Sequence, residues 1–233
     1  MKITKYIINF LLLQIFLLLV KGLRNNKNIN IIKKFSVDYL STLDGVWTGH
    51  TEVLEANHRF RPLGLLSRND LCIQFNFKFN SPITYIEADK SLTKPDKDKQ
   101  KILFPDGNEF YRAVSLFLSG TENNHEYLRA IVYEEILNNV GISTFMGGQN
   151  KLQEYLQKNP VQNNGVPVTY MEVMITSYLM DTSIYFYRNQ LQTWLFIPKN
   201  WNNPYIENFE ENYFMYFSIQ GLDTFLINDV IVV

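Results

Sequence analysis

Hydrophobic positions in the C-terminal half of the chain follow a helical spacing first and a strand spacing afterwards. Apolar residues at intervals of three and four predict helices around residues 110–118, 123–136, 152–156 and 169–179. Alternating or continuous apolar runs then predict strands at residues 183–187, 192–197, 213–219 and 225–232. Helices followed by a group of strands indicate an α+β domain, in which helices pack against a central sheet that is mostly antiparallel or mixed.

Residues at the predicted helix ends support this assignment. Gly120 follows the first apolar run and is expected to end that helix. Asn123 with Glu126, and Thr169 with Glu172, have the spacing of a capping box, in which two side chains bind free backbone N–H groups at a helix start. The helix that begins at Thr169 is the best defined of the four.

The N-terminal part of the chain has one strong pattern and one clear interruption. From Leu71 to Phe79 apolar residues alternate with polar ones, which predicts a strand with one buried face and places Cys72 on its polar face. Residues 89–101 are highly charged and contain Pro95, which predicts a solvated loop. Residues 36–70 show no clear period.

The first residues of the chain have the layout of a secretory signal peptide. Lys2 and Lys5 precede an apolar run at residues 7–20, and cleavage is expected after Gly22. An uncleaved membrane anchor is the alternative, but the run is shorter than the roughly 20 residues that a spanning helix needs. The sequence therefore predicts a secreted protein without a stable membrane anchor after cleavage, divided into a signal peptide (1–22), an N-terminal extension (23–60) and a domain (61–233).

Charge and cysteine content narrow the possible functions. The formal net charge is -1 and the basic residues are spread out, which argues against a nucleic-acid partner. Cys72 is the single cysteine, so no internal disulfide can form. No group of cysteines and histidines has the spacing of a zinc site, and neither a metal nor another cofactor is expected.

A central block of residues resembles a known family. It reads Asp106-Gly-Asn-Glu-Phe-Tyr-Arg-Ala-Val-Ser115, then Leu118-Ser-Gly-Thr-Glu122, then His125-Glu-Tyr-Leu-Arg129. This block resembles the ovarian tumour (OTU) family of deubiquitinating cysteine proteases, which has Asp-Gly-Asn-Cys, Arg-Ala and His-x-x-Leu-Arg at similar distances. Weaker similarity continues through residues 165–172, 184–187 and Trp194. The resemblance covers about residues 60–233 and implies an OTU-like, papain-type cysteine protease fold.

The resemblance also implies that the catalytic pair is replaced. Glu109 stands where the family has its nucleophilic cysteine, and Asp223 stands where its catalytic histidine is expected. The three histidines, His50, His58 and His125, all precede that region. A cysteine protease needs a thiolate and a histidine that stabilises it and donates a proton. We therefore expect an inactive deubiquitinase homologue.

By the same resemblance, the expected partner is ubiquitin or a ubiquitin-like protein. The candidate binding residues are Asp106, Gly107 and Asn108, from the family's loop beside the catalytic centre, together with Trp194. Each has a structural explanation as well. Asp106 and Asn108 are common turn and cap residues, and Trp194 suits a core. Glu109 at a helix start gains roughly 0.3–1 kcal/mol from the free backbone amides.

Two alternatives stay open at the level of sequence. An active deubiquitinase with rearranged groups would use Cys72 as nucleophile together with His50 or His58. A structural or interaction protein would keep the fold without binding ubiquitin, since a fold does not fix a function.

Overall fold

The computed structural model describes residues 32–36, 50–54, 58–80, 83–85, 89–200, 213–221 and 223–231, with only the backbone described for the first two segments. All of them belong to one compact unit, residues 31–233. The predicted signal peptide lies outside the described residues, so it stays a prediction, as do secretion and the domain limits. Within the described ranges, no helix has the length and apolar character needed to cross a membrane.

The described residues form nine strands, six α-helices and one short 3-10 helix. The strands are β1 (Ile32–Ser36), β2 (His50–Leu54), β3 (Arg59–Phe60), β4 (Lys90–Ser91), β5 (Gln100–Lys101), β6 (Ile184–Arg188), β7 (Thr193–Ile197), β8 (Met215–Gln220) and β9 (Asp223–Ile227). The helices are α1 (Leu65–Gln74), α2 (Glu109–Ser119), α3 (His125–Asn138), α4 (Val140–Phe145), α5 (Gln149–Lys158) and α6 (Tyr170–Leu179), with the 3-10 helix at Lys97–Lys99.

Seven of the strands form one mixed sheet in the order β2-β1-β7-β6-β8-β9-β5. The β1–β7 and β6–β8 pairs are parallel, and the other four pairs are antiparallel. The predicted α+β class with a mostly antiparallel sheet is therefore confirmed. Two segments of the predicted N-terminal extension, β1 and β2, belong to this sheet.

The central strands are buried on both faces, which explains their continuous apolar sequence. In β6, Ile184 and Phe186 contact the larger core cluster, which also includes buried side chains of α2, α3 and α6. Tyr185 and Tyr187 contact a second cluster, rich in aromatic rings. Because successive side chains of a strand point to opposite faces, the two clusters lie on opposite sides of the sheet.

The predicted strand from Leu71 to Phe79 is wrong. Its first part belongs to α1, in which Arg68 and Cys72 are buried one turn apart. A buried arginine among apolar positions hides the helical period from the sequence, because arginine is read as a surface residue. After α1 the chain makes a turn at Phe75 and Asn76. Phe75, Phe77 and Phe79 pack against the larger core without forming a described strand. Cys72 is buried rather than on a polar face.

Other predicted elements need smaller corrections. The second predicted helix begins at His125, and the capping box of Asn123 with Glu126 is absent because Asn124 occupies the cap position without a side-chain bond to the helix. The amide of Asn124 instead donates to the Ser119 hydroxyl, at 3.0 Å. Helix α4 was not predicted. The charged segment 89–101 contains β4 and β5 and is not a loop throughout.

Candidate functional site

The candidate site is the turn at residues 106–109, which leads into α2. The Asp106 carboxylate accepts the Asn108 backbone N–H at 3.0 Å, a local bond typical of Asx turns. Gly107 has a φ of 81°, which favours glycine. Glu109 begins the helix, and its Oε1 accepts the Gly107 backbone N–H at 2.9 Å. The turn is thus closed by two carboxylates from its own sequence.

Asp106 is held by an arginine in the first turn of α2. Arg112 donates from Nε and Nη2 to both carboxylate oxygens of Asp106, with Nε at 3.1 Å from Oδ1. Hydrogen bonding to Arg112 holds the pKa of Asp106 far below its usual range. The Arg112 guanidinium also lies 5.6 Å from the ring centre of Phe104, which is largely exposed. Asp106 is therefore a fixed anion and cannot serve as a proton donor near neutral pH.

A buried arginine connects the turn to a distant loop. Arg129 in α3 donates to the Asn108 side-chain oxygen at 3.0 Å and to the Gly107 carbonyl at 3.2 Å. It also donates to the carbonyls of Val161 and Val166, at 2.9 and 2.7 Å. These four acceptors belong to two segments far apart in sequence, and one guanidinium fixes their relative position.

The same two segments approach each other through glycines. Asn108 Oδ1 accepts the Gly165 N–H at 3.0 Å. A Cβ atom at Gly107 would lie 2.0 Å from the Gly165 carbonyl oxygen, so no other residue fits there without displacing one loop. This contact explains the glycine at position 107. Gly165 has a φ of 80°, and a Cβ there would lie 3.2 Å from the Asp106 carbonyl oxygen, so the two loops pack closely from both sides.

Glu109 has the geometry of a capping group rather than of a catalytic one. Its side chain is only 6% exposed and points back to the Gly107 N–H. A carboxylate in this place satisfies a backbone donor and interacts favourably with the start of α2. It also fills the position with negative charge, which would oppose an oxyanion that forms nearby.

Asp223 is on the element next to α2 but is not tied to the turn. It is the exposed first residue of β9, opposite Gln220 in the β8–β9 pair, and β9 packs against α2. His125 lies at the start of α3, where its Nδ1 is 2.8 Å from the Glu122 carbonyl oxygen. The structure therefore brings Asp106, Gly107, Asn108 and Glu109 together and leaves Asp223 on a neighbouring surface.

Trp194 is a core residue rather than a contact residue. Its side chain is 1% exposed and packs in the aromatic cluster. The indole N–H donates to the Thr93 carbonyl at 2.9 Å, so its one polar group is satisfied internally. The ring offers no surface to a partner, which corrects its prediction as a binding residue.

The displaced-nucleophile alternative is disfavoured by the position of Cys72. Its thiol is buried in the larger core, and burial raises its pKa, whereas a nucleophilic cysteine needs a lowered one. His58 lies near the other cluster, where its Nδ1 is 2.7 Å from the Tyr185 hydroxyl. The sheet therefore separates these two side chains. Only the backbone of His50 is described.

Sequence reasoning missed the residues that hold the turn in place. Arg112 and Arg129 both belong to the motif, but the motif alone does not indicate that they hold the turn. Their signal was the presence of two arginines within apolar helical stretches. No three histidine, cysteine, aspartate or glutamate residues in the described part of the chain come close enough to hold a metal ion.

Among solved structures, this chain is similar to OTU domains. The chain is similar to the viral OTU domain protease from Qalyub virus (20% identity, 55% of this chain and 82% of that chain, TM-score 0.40). It is also similar to the OTU domain of OTUD1, with 17% identity over 55% of this chain and 83% of that chain and a TM-score of 0.44. A third similar structure is an OTU domain solved in complex with ubiquitin, with 15% identity over 57% of this chain and 74% of that chain and a TM-score of 0.41. No protein-family model and no curated protein matches the sequence. The likeness is one of fold, and at these TM-scores it carries nothing about activity.

Proposed function

We propose that this protein is an OTU-like domain without protease activity that binds ubiquitin or a ubiquitin-like protein. The observation that carries the first part is the Glu109 carboxylate, which stands at the nucleophile position of the motif and bonds the Gly107 N–H at 2.9 Å. The second part rests on the sequence resemblance to the OTU family, together with the rigid turn at residues 106–109.

The chemistry of Glu109 supports inactivity. A carboxylate that attacked an isopeptide bond would form a mixed anhydride, which is more reactive than the amide that it replaces. A carboxylate at this position would also oppose the negative charge of the transition state. Asp223 stands in the place expected for the imidazole, and it supplies a carboxyl group instead of the imidazole that a cysteine protease uses for proton transfer.

The surface around the turn is suited to protein binding. Ile102 and Phe104 precede the turn and are 75% and 64% exposed, and Phe104 is steadied by the Arg112 guanidinium. Apolar side chains held beside a rigid backbone lose little conformational entropy when a partner covers them. We propose that this surface contacts the partner.

Export from the cell is a further part of this proposal, supported only by the pattern of residues 1–22. A secreted OTU-like protein would meet ubiquitin if it were delivered into another organism's cells. Detecting the protein in the culture medium of its own cells would support export. Retention in the endoplasmic reticulum of those cells would contradict it.

The binding test is a titration of isotope-labelled ubiquitin with the full chain, with amide shifts recorded. We expect localised shifts, and we expect no cleavage when linked ubiquitin is added to the same sample. Phe104→Ala should weaken binding, whereas Leu191→Ala, a matched control with a 60% exposed side chain in the turn between β6 and β7, should not. No shifts at near-millimolar protein would refute ubiquitin binding and favour an interaction protein with another partner.

The catalytic test restores the missing groups. Glu109→Cys alone should leave the chain inactive because the imidazole is still absent, and Glu109→Cys with Asp223→His should give at most a trace of cleavage. Strong cleavage by the single variant would show that a histidine other than one at position 223 completes the site. Cleavage by the unchanged protein would refute the proposal of inactivity.

A further inference from the structure

A pocket of about 440 Å³ opens beside the first turn of α1, away from the turn at residues 106–109. One wall is the chain from Pro62 to Arg68, and the other consists of Thr84, Tyr85 and Tyr213. Leu66 and Tyr213 are 83% and 54% exposed, so the pocket is open to solvent. Its volume falls within the roughly 300–1,000 Å³ typical of small-molecule sites.

The pocket is preformed because its walls are bonded to each other. The Leu63 N–H donates to the Phe214 carbonyl at 3.1 Å, and the Phe214 N–H donates to the Arg61 carbonyl at 2.8 Å. The Arg61 N–H in turn donates to the Tyr216 hydroxyl at 2.9 Å. These bonds connect the segment before α1 to the start of β8, so a ligand would not have to order this side of the pocket.

Backbone N–H groups without helical partners lie along the pocket. The first intrahelical bond of α1 runs from the Arg68 N–H to the Gly64 carbonyl, at 3.1 Å. The N–H groups of residues 65–67 therefore have no partner within the helix. Gly64 supplies no capping side chain, and the first turn contains no acidic residue. A helix start of this kind attracts an anion.

A buried cation lies along the same pocket. Arg68 lines the pocket, is 1% exposed, and forms no ion pair with any described carboxylate. Its Nη1 and Nη2 donate to the Phe117 and Ile83 carbonyls, at 3.0 and 2.7 Å, while its Nε has no hydrogen-bond partner among the described residues. The guanidinium lies over the rings of Phe117 and Tyr85. Burial lowers the pKa of Arg68, as expected for a cation without a nearby negative charge.

From these features we infer that the pocket binds a small apolar carboxylate. Its negative charge would lie at the start of α1, where it meets the free N–H groups and the field of Arg68. Its apolar part would lie against the leucine and tyrosine side chains. The inference does not rest on the proposed ubiquitin binding, because none of the pocket residues belongs to the turn at residues 106–109.

The test uses 4-fluorobenzoate as the probe, followed by fluorine NMR in the presence of the full chain. We expect saturable binding with a Kd on the order of 1 mM or tighter, as is usual for a ligand with about ten non-hydrogen atoms. The neutral analogue 4-fluorobenzyl alcohol should bind at least about tenfold more weakly, since the charge supplies much of the affinity. Equal binding of the two probes, or binding of neither, would overturn the inference.

A matched pair of variants locates the binding. Leu66→Asp places a carboxylate of the chain itself in the first turn of α1, where it stabilises the helix and competes for the N–H groups. Leu66→Asn has nearly the same shape without the charge. We expect Leu66→Asp to weaken 4-fluorobenzoate binding at least tenfold and Leu66→Asn by no more than about threefold. Because both variants lose the same exposed leucine, equal affinities would show that the probe binds elsewhere and would overturn the inference.

Discussion

Replacing Gly107 with alanine tests whether the close approach of two loops holds the candidate site together. The new Cβ would lie 2.0 Å from the Gly165 carbonyl oxygen, far inside van der Waals contact, and the obstacle is backbone rather than a flexible side chain. The loops must therefore separate. Separation breaks the Gly165 bond to Asn108 and weakens the Arg129 bond to the Gly107 carbonyl.

The expected loss follows from these contacts. A left-handed backbone costs a non-glycine residue about 1–2 kcal/mol, and each buried group left without a partner costs about 1–3 kcal/mol. We expect Gly107→Ala to lower the free energy of unfolding by about 3–5 kcal/mol. For a domain of this size that corresponds to a Tm roughly 8–15 °C lower.

Gly221→Ala is the matched control. Gly221 also has a positive φ, 66°, but a Cβ there meets nothing within 4 Å. Gly221→Ala should therefore lower the free energy of unfolding by only the cost of a left-handed backbone at a non-glycine residue, about 1–2 kcal/mol. Urea denaturation followed by tryptophan fluorescence measures both variants. Equal losses in the two would refute the claim that the contact between Gly107 and Gly165 constrains the site.

Three further predictions concern buried polar groups. Arg129→Met should lower the free energy of unfolding, measured by urea denaturation, by about 3–5 kcal/mol because it leaves buried acceptors unpaired. Arg112→Met removes a partly exposed ion pair and should lower it by about 1 kcal/mol or less. Similar losses in the two variants would contradict the bridging role of Arg129. Burial raises the pKa of Glu172 to about 7 from an ordinary 4.5, so this group favours the folded state below about pH 4.5 and that contribution is lost as pH rises through 7. In the unchanged protein this group should make the free energy of unfolding fall by up to about 3 kcal/mol between these pH values, and Glu172→Gln should remove that fall. If the free energy of unfolding depends on pH in the same way in the variant, this reasoning is wrong. Thr169→Val removes the hydroxyl that accepts the Met171 N–H and should lower the Tm through a loss of about 1 kcal/mol; an unchanged Tm would show that Glu172 alone caps α6.

The sequence predicted those elements whose signals are local. The capping box of Thr169 and Glu172 forms as expected, and Gly120 ends α2 in a left-handed conformation. Both depend on residues within one helical turn of each other. The strands from residue 184 onwards were also found, because burial on both faces leaves a continuous apolar sequence.

The missed features depend on contacts between distant residues. Helix α1 could not be recognised because Arg68 is buried by bonds to the Phe117 and Ile83 carbonyls, which the local sequence does not show. The turn at residues 106–109 was found as a contiguous motif. Its partner Gly165 lies 57 residues after Asn108, and nothing in the local pattern connects the two.

The burial of Cys72 gives the protein an internal probe of its own fluctuations. The chain has one thiol, and this thiol is covered by the core on the inner face of α1. A thiol reagent can therefore react only when α1 separates from the core, and the labelling rate reports the free energy of that opening. The first turn of α1 forms part of the pocket wall. A carboxylate bound there should therefore slow the labelling of Cys72, because it stabilises the closed position of α1.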